Sequence, residues 1–133
     1  MKNAEQTFFA TKTVAPSTCV DFNGRWVNEL GSSMQIALNR DASITGTYTS
    51  AVSETGARTP EMLLSGTVAG DLISFTVNWG ESITAWVGHG IVDNEQVRIV
   101  TLWHMVLATP DETEPGQQWK TVMAGADEFR PAS

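Results

Sequence analysis

From residue 24 onward the chain divides into eight short stretches of alternating apolar and polar residues, and a 3.6-residue period never takes over. The first is GRWVNELG (24–31), with Trp26, Asn28 and Leu30 on one face. SSMQIAL (32–38) follows, and a turn at NRDA (39–42) leads into SITGTYTSAV (43–52), rich in β-branched residues. Beyond the polar loop SETGARTP (53–60) lie MLLSGTV (62–68) and DLISFTVNW (71–79), joined by the hairpin signal Ala69-Gly70. ESITAWVG (81–88), EQVRIVTLWHMVL (95–107) and WKTVMAGADEF (119–129) complete the set. Consecutive strands with short links predict an all-β fold, either an up-and-down barrel or a meander sandwich. So many apolar strands would leave sticky edges in an open sheet, so the expected fold is an eight-stranded antiparallel up-and-down β-barrel.

A chain of 133 residues has room for one such domain. Residues 1–22 are polar, carry Pro16 and show no sustained period, so they read as a flexible arm. The barrel is expected over 23–130, with 131–133 as a short tail. The net charge is −7, and Arg25, Arg40, Arg58, Arg98 and Lys120 are scattered singly. Nucleic acid and anionic membranes both require concentrated positive charge, so neither is an expected partner. Cys19 is the single cysteine, which excludes an intrachain disulfide. It fits a buried small hydrophobe, an idle thiol or half of an intersubunit bridge. No stretch approaches a membrane span. The first residues, MKNAEQTFFATK, place acid and lysine where a signal peptide needs an apolar run, so the chain is either not exported or already processed.

Alternation gives each strand an inward face. Those faces hold Trp26, Asn28 and Leu30, with Ser32 at the strand end, then Tyr48, Ser50 and Val52. They continue with Ser82, Thr84 and Trp86, Trp103 and Met105, and Met123, Gly125, Asp127 and Phe129. For any one Ser or Thr, mutual hydrogen bonding inside a plugged barrel is a sufficient account. As a set they are too polar for a plain core, because small barrels fill with aliphatic side chains. An aromatic-walled cavity with a few placed polar groups describes a ligand pocket.

GRWVNELGS (24–32), TGTYTSAV (45–52), SITAWVG (82–88), TLW (101–103) and WKTVMAGADEF (119–129) resemble, in order and in internal spacing, the avidin and streptavidin family of biotin-binding proteins. All five tryptophans, Trp26, Trp79, Trp86, Trp103 and Trp119, fall on tryptophan positions of that family. The resemblance implies high-affinity, non-catalytic biotin binding at the open end of the barrel, with biotin as a ligand and no cofactor. It implies that Asn28, Ser32 and Tyr48 donate to the ureido carbonyl oxygen, and that Ser50 and Asp127 accept from the two ureido N–H groups. Thr84 matches the hydroxyl near the thioether sulfur, and Trp79, Trp86 and Trp103 match the aromatic walls. Met105 takes a wall position where streptavidin has leucine, a volume-preserving change. Leu30 and Val52 join the lining as inward residues. Trp26 matches a structural tryptophan at the closed end.

Departures from the family cluster where the biotin carboxylate is held. Ser53 and Thr55 fit the family's hydroxyls there, and Ser82 is expected to help, but Glu54 places a second carboxylate beside the first. Arg58 is near enough in sequence to offset it, or Glu54 points to solvent; the expected result is modestly weaker binding of free biotin than of its amides. Trp119 matches the family tryptophan that caps the pocket of a neighbouring subunit, which implies a homotetramer. The disulfide that shapes the pocket loop in dimeric relatives is absent. Family members are generally exported, so a secreted or periplasmic protein is expected. Three other classes compete. GRW also opens lipocalin barrels, which makes a carrier of another small apolar ligand the alternative. His89 and His104 fit no nucleophile–base or metal-ligand spacing, so neither catalysis nor a metal site is expected. A structural β-module of the same fold is opposed only by the set Asn28, Ser32, Tyr48 and Asp127.

Overall fold

The computed structural model describes residues 20–51, 58–108 and 122–132. Their regular structure is entirely strand: β1 (Gly24–Asn28), β2 (Ser33–Leu38), β3 (Ser43–Thr49), β4 (Met62–Ala69), β5 (Leu72–Asn78), β6 (Ser82–Asp93), β7 (Gln96–Leu107) and β8 (Val122–Pro131). Each strand pairs antiparallel with the next. β8 returns to β1 in the register Trp26↔Pro131, Val27↔Arg130, Asn28↔Phe129, which closes the barrel and excludes the sandwich.

Alternation sorts the strands into two faces. In β5, Ile73, Phe75 and Val77 are buried while Leu72, Thr76 and Asn78 are exposed. The interior is an aromatic stack: Phe75 lies on Trp86 with ring centroids 4.8 Å apart, and Phe129 meets Phe75 edge-on at 6.2 Å. Burying each such ring contributes on the order of 1.5–3 kcal/mol. Curvature crowds the inward positions, and Gly66 relieves it, since a Cβ there would lie 1.9 Å from the Ser74 carbonyl oxygen.

Both ends of β1 differ from expectation. Val20 and Phe22, read as part of the arm, are buried in the core. They seal one end of the barrel: the Val20 N–H donates to Asp71 Oδ1 at 2.6 Å, and Trp26 Nε1 donates to the Phe22 carbonyl at 3.0 Å. At the other end β1 stops at Asn28, so Leu30 lies in a turn and is 61% exposed rather than inward. β6 also runs to Asp93, past the expected stop at Gly88. Gly88 and Gly90 interrupt the alternation in the sequence, yet their missing side chains make room inside, where Val20 occupies the space beside Gly90. The β6–β7 turn is formed by Asn94 and Glu95, both at positive φ (51° and 66°), a two-residue hairpin without the usual glycine. Cys19 and most of the proposed arm lie outside the described residues.

Phe22 is 1% exposed, so its truncation empties the sealed end. Phe22→Ala is expected to lower the unfolding free energy by about 3–5 kcal/mol in urea denaturation. An unchanged midpoint would return Phe22 to the arm.

Candidate functional site

Opposite the seal, the ends of β1, β3, β5 and β7 and the starts of β2, β4, β6 and β8 surround the barrel mouth. The β1–β2 turn is built around one amide. Asn28 Oδ1 accepts from the Leu30 N–H at 3.0 Å and the Ser32 N–H at 2.9 Å. Gly31 completes the turn at φ +88°, where a side chain would be strained. With the amide oxygen so engaged, the orientation of the group is fixed and Nδ2 is the end that reaches toward Asp127.

Ser32, 3% exposed, sits beside this amide, and its Oγ accepts from the Ala51 N–H at 2.9 Å. The Ser32 hydroxyl also meets that of Tyr48 from β3. Burial pushes the Tyr48 phenol well above its ordinary range, and the Asp127 carboxylate adds to the effect. Tyr48 therefore remains a protonated donor throughout the neutral range. Asn28, Ser32 and Tyr48 thus bring an N–H and two O–H groups to one corner of the cavity.

Asp127 comes from β8, and its Oδ2 accepts from Trp86 Nε1 at 3.0 Å. Burial raises its carboxyl pKa, opposed by the Trp86 N–H; the Glu29 carboxylate raises it further, and Asn28 lowers it. Trp86 lies 4.9 Å from the Tyr48 ring, and Trp79 packs edge-on to the same ring at 5.9 Å. Trp79 Nε1 donates to Thr84 Oγ1 at 2.9 Å, which fixes the indole and leaves the Thr84 hydroxyl proton free to turn elsewhere. Trp103 faces Gly125 across the β7–β8 ladder, where a Cβ would stand 2.5 Å from Cζ2 of the indole, so only glycine admits this ring. Met105 is half-buried next along β7, opposite Met123, which is 51% exposed at the rim.

Ser50 and Ser82 are half-buried at the mouth. The Ser50 N–H donates to Thr59 Oγ1 at 2.8 Å, and the Thr59 N–H donates to the Ser50 carbonyl at 3.0 Å, which clamps the base of the β3–β4 loop. Arg58 turns back over the β1–β2 turn, its Nη1 donating to the Gly31 carbonyl at 3.1 Å. Val52, Ser53, Glu54, Thr55 and Trp119 lie outside the described residues. Both histidines are exposed, and among the described residues no group of three His, Cys, Asp or Glu side chains is placed to hold a metal.

Sequence reasoning passed over two residues of this region. Phe75, stacked on Trp86, supports the wall from beneath and is signalled only by its place in the alternation. Glu29 follows Asn28 and should face away from the interior; the signal it carries is the end of β1, which alternation alone does not reveal. Chemically, the cavity can receive a small group that offers a carbonyl oxygen to the three donors and an N–H to Asp127, between aromatic walls.

The raised carboxyl of Asp127 has a consequence for stability. A carboxyl whose pKa is higher in the folded state stabilises the fold below the unfolded pKa, and that contribution is lost as pH rises through the folded value. Asp127→Asn is therefore expected to raise the melting temperature of the ligand-free protein at pH 7, with the gain shrinking as pH falls toward about 4. Thermal melts across that interval read it out, and a variant less stable than the parent at pH 7 would overturn it.

Residues 16–132 match the profile of the Avidin family. Avidin of Gallus gallus is 34% identical over 116 residues, covering 80% of this chain and 74% of that protein. The crystal structure of Xenavidin superposes with a TM-score of 0.76 at 25% identity, covering 86% of this chain and all of the other. A rhizavidin–biotin complex superposes with a TM-score of 0.69 at 26% identity, covering 82% of this chain and 98% of that one. The GRW opening shared with lipocalins thus has its explanation elsewhere, and the chain belongs to the avidin family.

Proposed function

We propose that this protein binds biotin without catalysis, in the cavity between the β1–β2 turn and β8. The observation that carries this reading is the placement of the Asn28, Ser32 and Tyr48 donors in one tryptophan-walled barrel end with the Asp127 carboxylate. A cyclic urea presents one carbonyl oxygen and two N–H groups, the complement of that arrangement. Donors held in advance, in a site sheltered from water, bind the oxygen without reorganising. Asp127 accepts one N–H with a charge-assisted bond, and Ser50 takes the other. Thr84 faces the thioether, and Trp79, Trp86, Trp103 and Met105 form the apolar walls. At the rim Ser82, with Ser53 and Thr55 of the β3–β4 loop, receives the ligand carboxylate, and Arg58 brings a positive charge to the same side. The placement of Leu30 in an exposed turn argues against a direct role for it in the lining.

Self-association belongs to the same proposal. The outer face of β6–β8 exposes Ile83, Val106 and Val122 in one cross-strand row and Val87 with Leu102 in another. A soluble monomer gains nothing from so continuous an apolar face, whereas a second copy of the chain would cover it. A homotetramer in which Trp119 reaches a neighbouring pocket accounts for both features. Export from the cell, which the family resemblance implies, completes the proposal.

Titration with biotin is expected to quench tryptophan fluorescence and to raise the melting temperature, as any ligand selective for the native state must. Asp127→Ala should reduce biotin affinity severely while costing little stability; equal losses of both would make Asp127 a structural residue. Native mass measurement should give four chains, and Trp119→Ala should weaken both binding and assembly. A loss confined to folding stability would defeat the intersubunit role.

A further inference from the structure

β8 pairs with β7 from Phe129 to Val122, whereas β1 accompanies it only from Phe129 to Pro131. From Glu128 toward the mouth, the edge of β8 that would face β1 has no strand partner among the described residues, and a seam opens in the barrel wall beside Asp127. Glu29 occupies the seam. Its Oε2 accepts from the Glu128 N–H at 3.1 Å, standing in for a strand carbonyl, and its carboxyl contacts that of Asp127. Two cavities border the seam: an outer groove of about 560 Å³ lined in part by Glu29, Asp127, Val87 and Leu102, and a smaller one of about 230 Å³ lined in part by Glu29, Asn28 and Arg130.

We propose that Glu29 is a positioning residue of the ureido site, filling the seam that β1 leaves open and controlling when Asp127 can accept a ligand N–H. This rests on the biotin reading above. Among the described residues, the groups that face the Asp127 carboxyl are the Trp86 indole from β6, the Asn28 amide and Glu29 from the end of β1, and the Tyr48 hydroxyl from β3. Thr101 on β7 touches only its main chain, donating to the Asp127 carbonyl at 3.0 Å. His89 borders the outer groove from β6. The nearby cations Arg98 and Arg130 are engaged by Glu128 at 3.0 and 3.3 Å. The negative charge of Glu29 therefore bears on Asp127, and among the described residues no cation acts on that carboxyl to offset it. Two carboxyls in contact favour a proton between them, and a protonated Asp127 no longer offers a ureido N–H a charged acceptor.

The sign follows. Burial and Glu29 both hold the Asp127 carboxyl above its ordinary range, so acceptor strength is full above that raised value and fails as pH falls through it. Glu29→Gln removes the charge while its amide oxygen can still accept from the Glu128 N–H. Biotin dissociation rates measured between about pH 4 and 8 should show the acid-side loss displaced to lower pH in the variant, so that biotin is held longer in acid. In the ligand-free protein, the side-chain carboxyl ¹³C resonance of Asp127, assigned by its disappearance in Asp127→Asn, should titrate at lower pH in Glu29→Gln than in the parent. In the Asp127→Asn background, Glu29→Gln should leave the pH profile of biotin release unmoved. Coincident titrations of Asp127 in parent and variant would overturn the proposal even if biotin binds tightly. Failure of the parent to bind biotin would overturn the ureido role together with the reading beneath it, and the carbon titration would still show whether the two carboxyls are coupled.

Discussion

Three register pairs hold this molecule closed. Trp26–Pro131, Val27–Arg130 and Asn28–Phe129 are the register pairs between the last strand and the first, against eight between β7 and β8. Without them the sheet would have two edges and no interior. Closure fixes the diameter, which brings Tyr48 on β3 within 4.9 Å of Trp86 on β6 and Phe129 on β8 within 6.3 Å of Tyr48. The pocket is thus a consequence of closure, and its polar corner lies where the closing contact ends.

The shortness of β1 has two sides. Had the strand continued to Leu30, Asn28 could not bend its amide back onto the Leu30 and Ser32 N–H groups, and the donor corner would lose its scaffold. Stopping the strand leaves the N–H of Glu128 without a strand partner, and a carboxylate supplies the missing acceptor. The donor is satisfied, but a charge is placed against Asp127. The site is therefore built against the interests of the fold: a half-buried carboxyl, a buried phenol and a buried amide stand where a small barrel would otherwise put aliphatic groups.

Period-two alternation made most of the barrel legible. It correctly turned Trp86, Thr84, Tyr48 and Phe129 inward, because each lies well inside a strand whose parity is set by bulky neighbours. It failed at strand ends. Leu30 has the right parity and the wrong place, since hydrogen bonds made by a side chain, which no pattern of hydropathy records, ended the strand two residues earlier. The extension of β6 beyond Gly88 was hidden for the opposite reason: glycine reads as a break, yet Gly90 makes room for the Val20 plug. That plug was missed because a single Val and Phe in a polar stretch have no period at all. Glu29 was invisible because its role depends on where the first and last strands part company, a relation between residues about a hundred positions apart.

What the aromatic interior contributes to binding also follows from the way its polar tips are tied. Each of the two best-placed indoles uses its N–H on the protein itself, Trp79 on Thr84 and Trp86 on Asp127. An indole so anchored presents only its apolar face and loses little rotational freedom when a ligand arrives. Trp103 is held differently, by the absence of a side chain at Gly125 across the ladder. All three rings are thus held by contacts within the protein itself. In the proposed site the bond from Trp86 also binds wall and acceptor into one unit, so a change in the charge on Asp127 would bear on the aromatic wall as well as on the hydrogen bond a ligand N–H would donate to it.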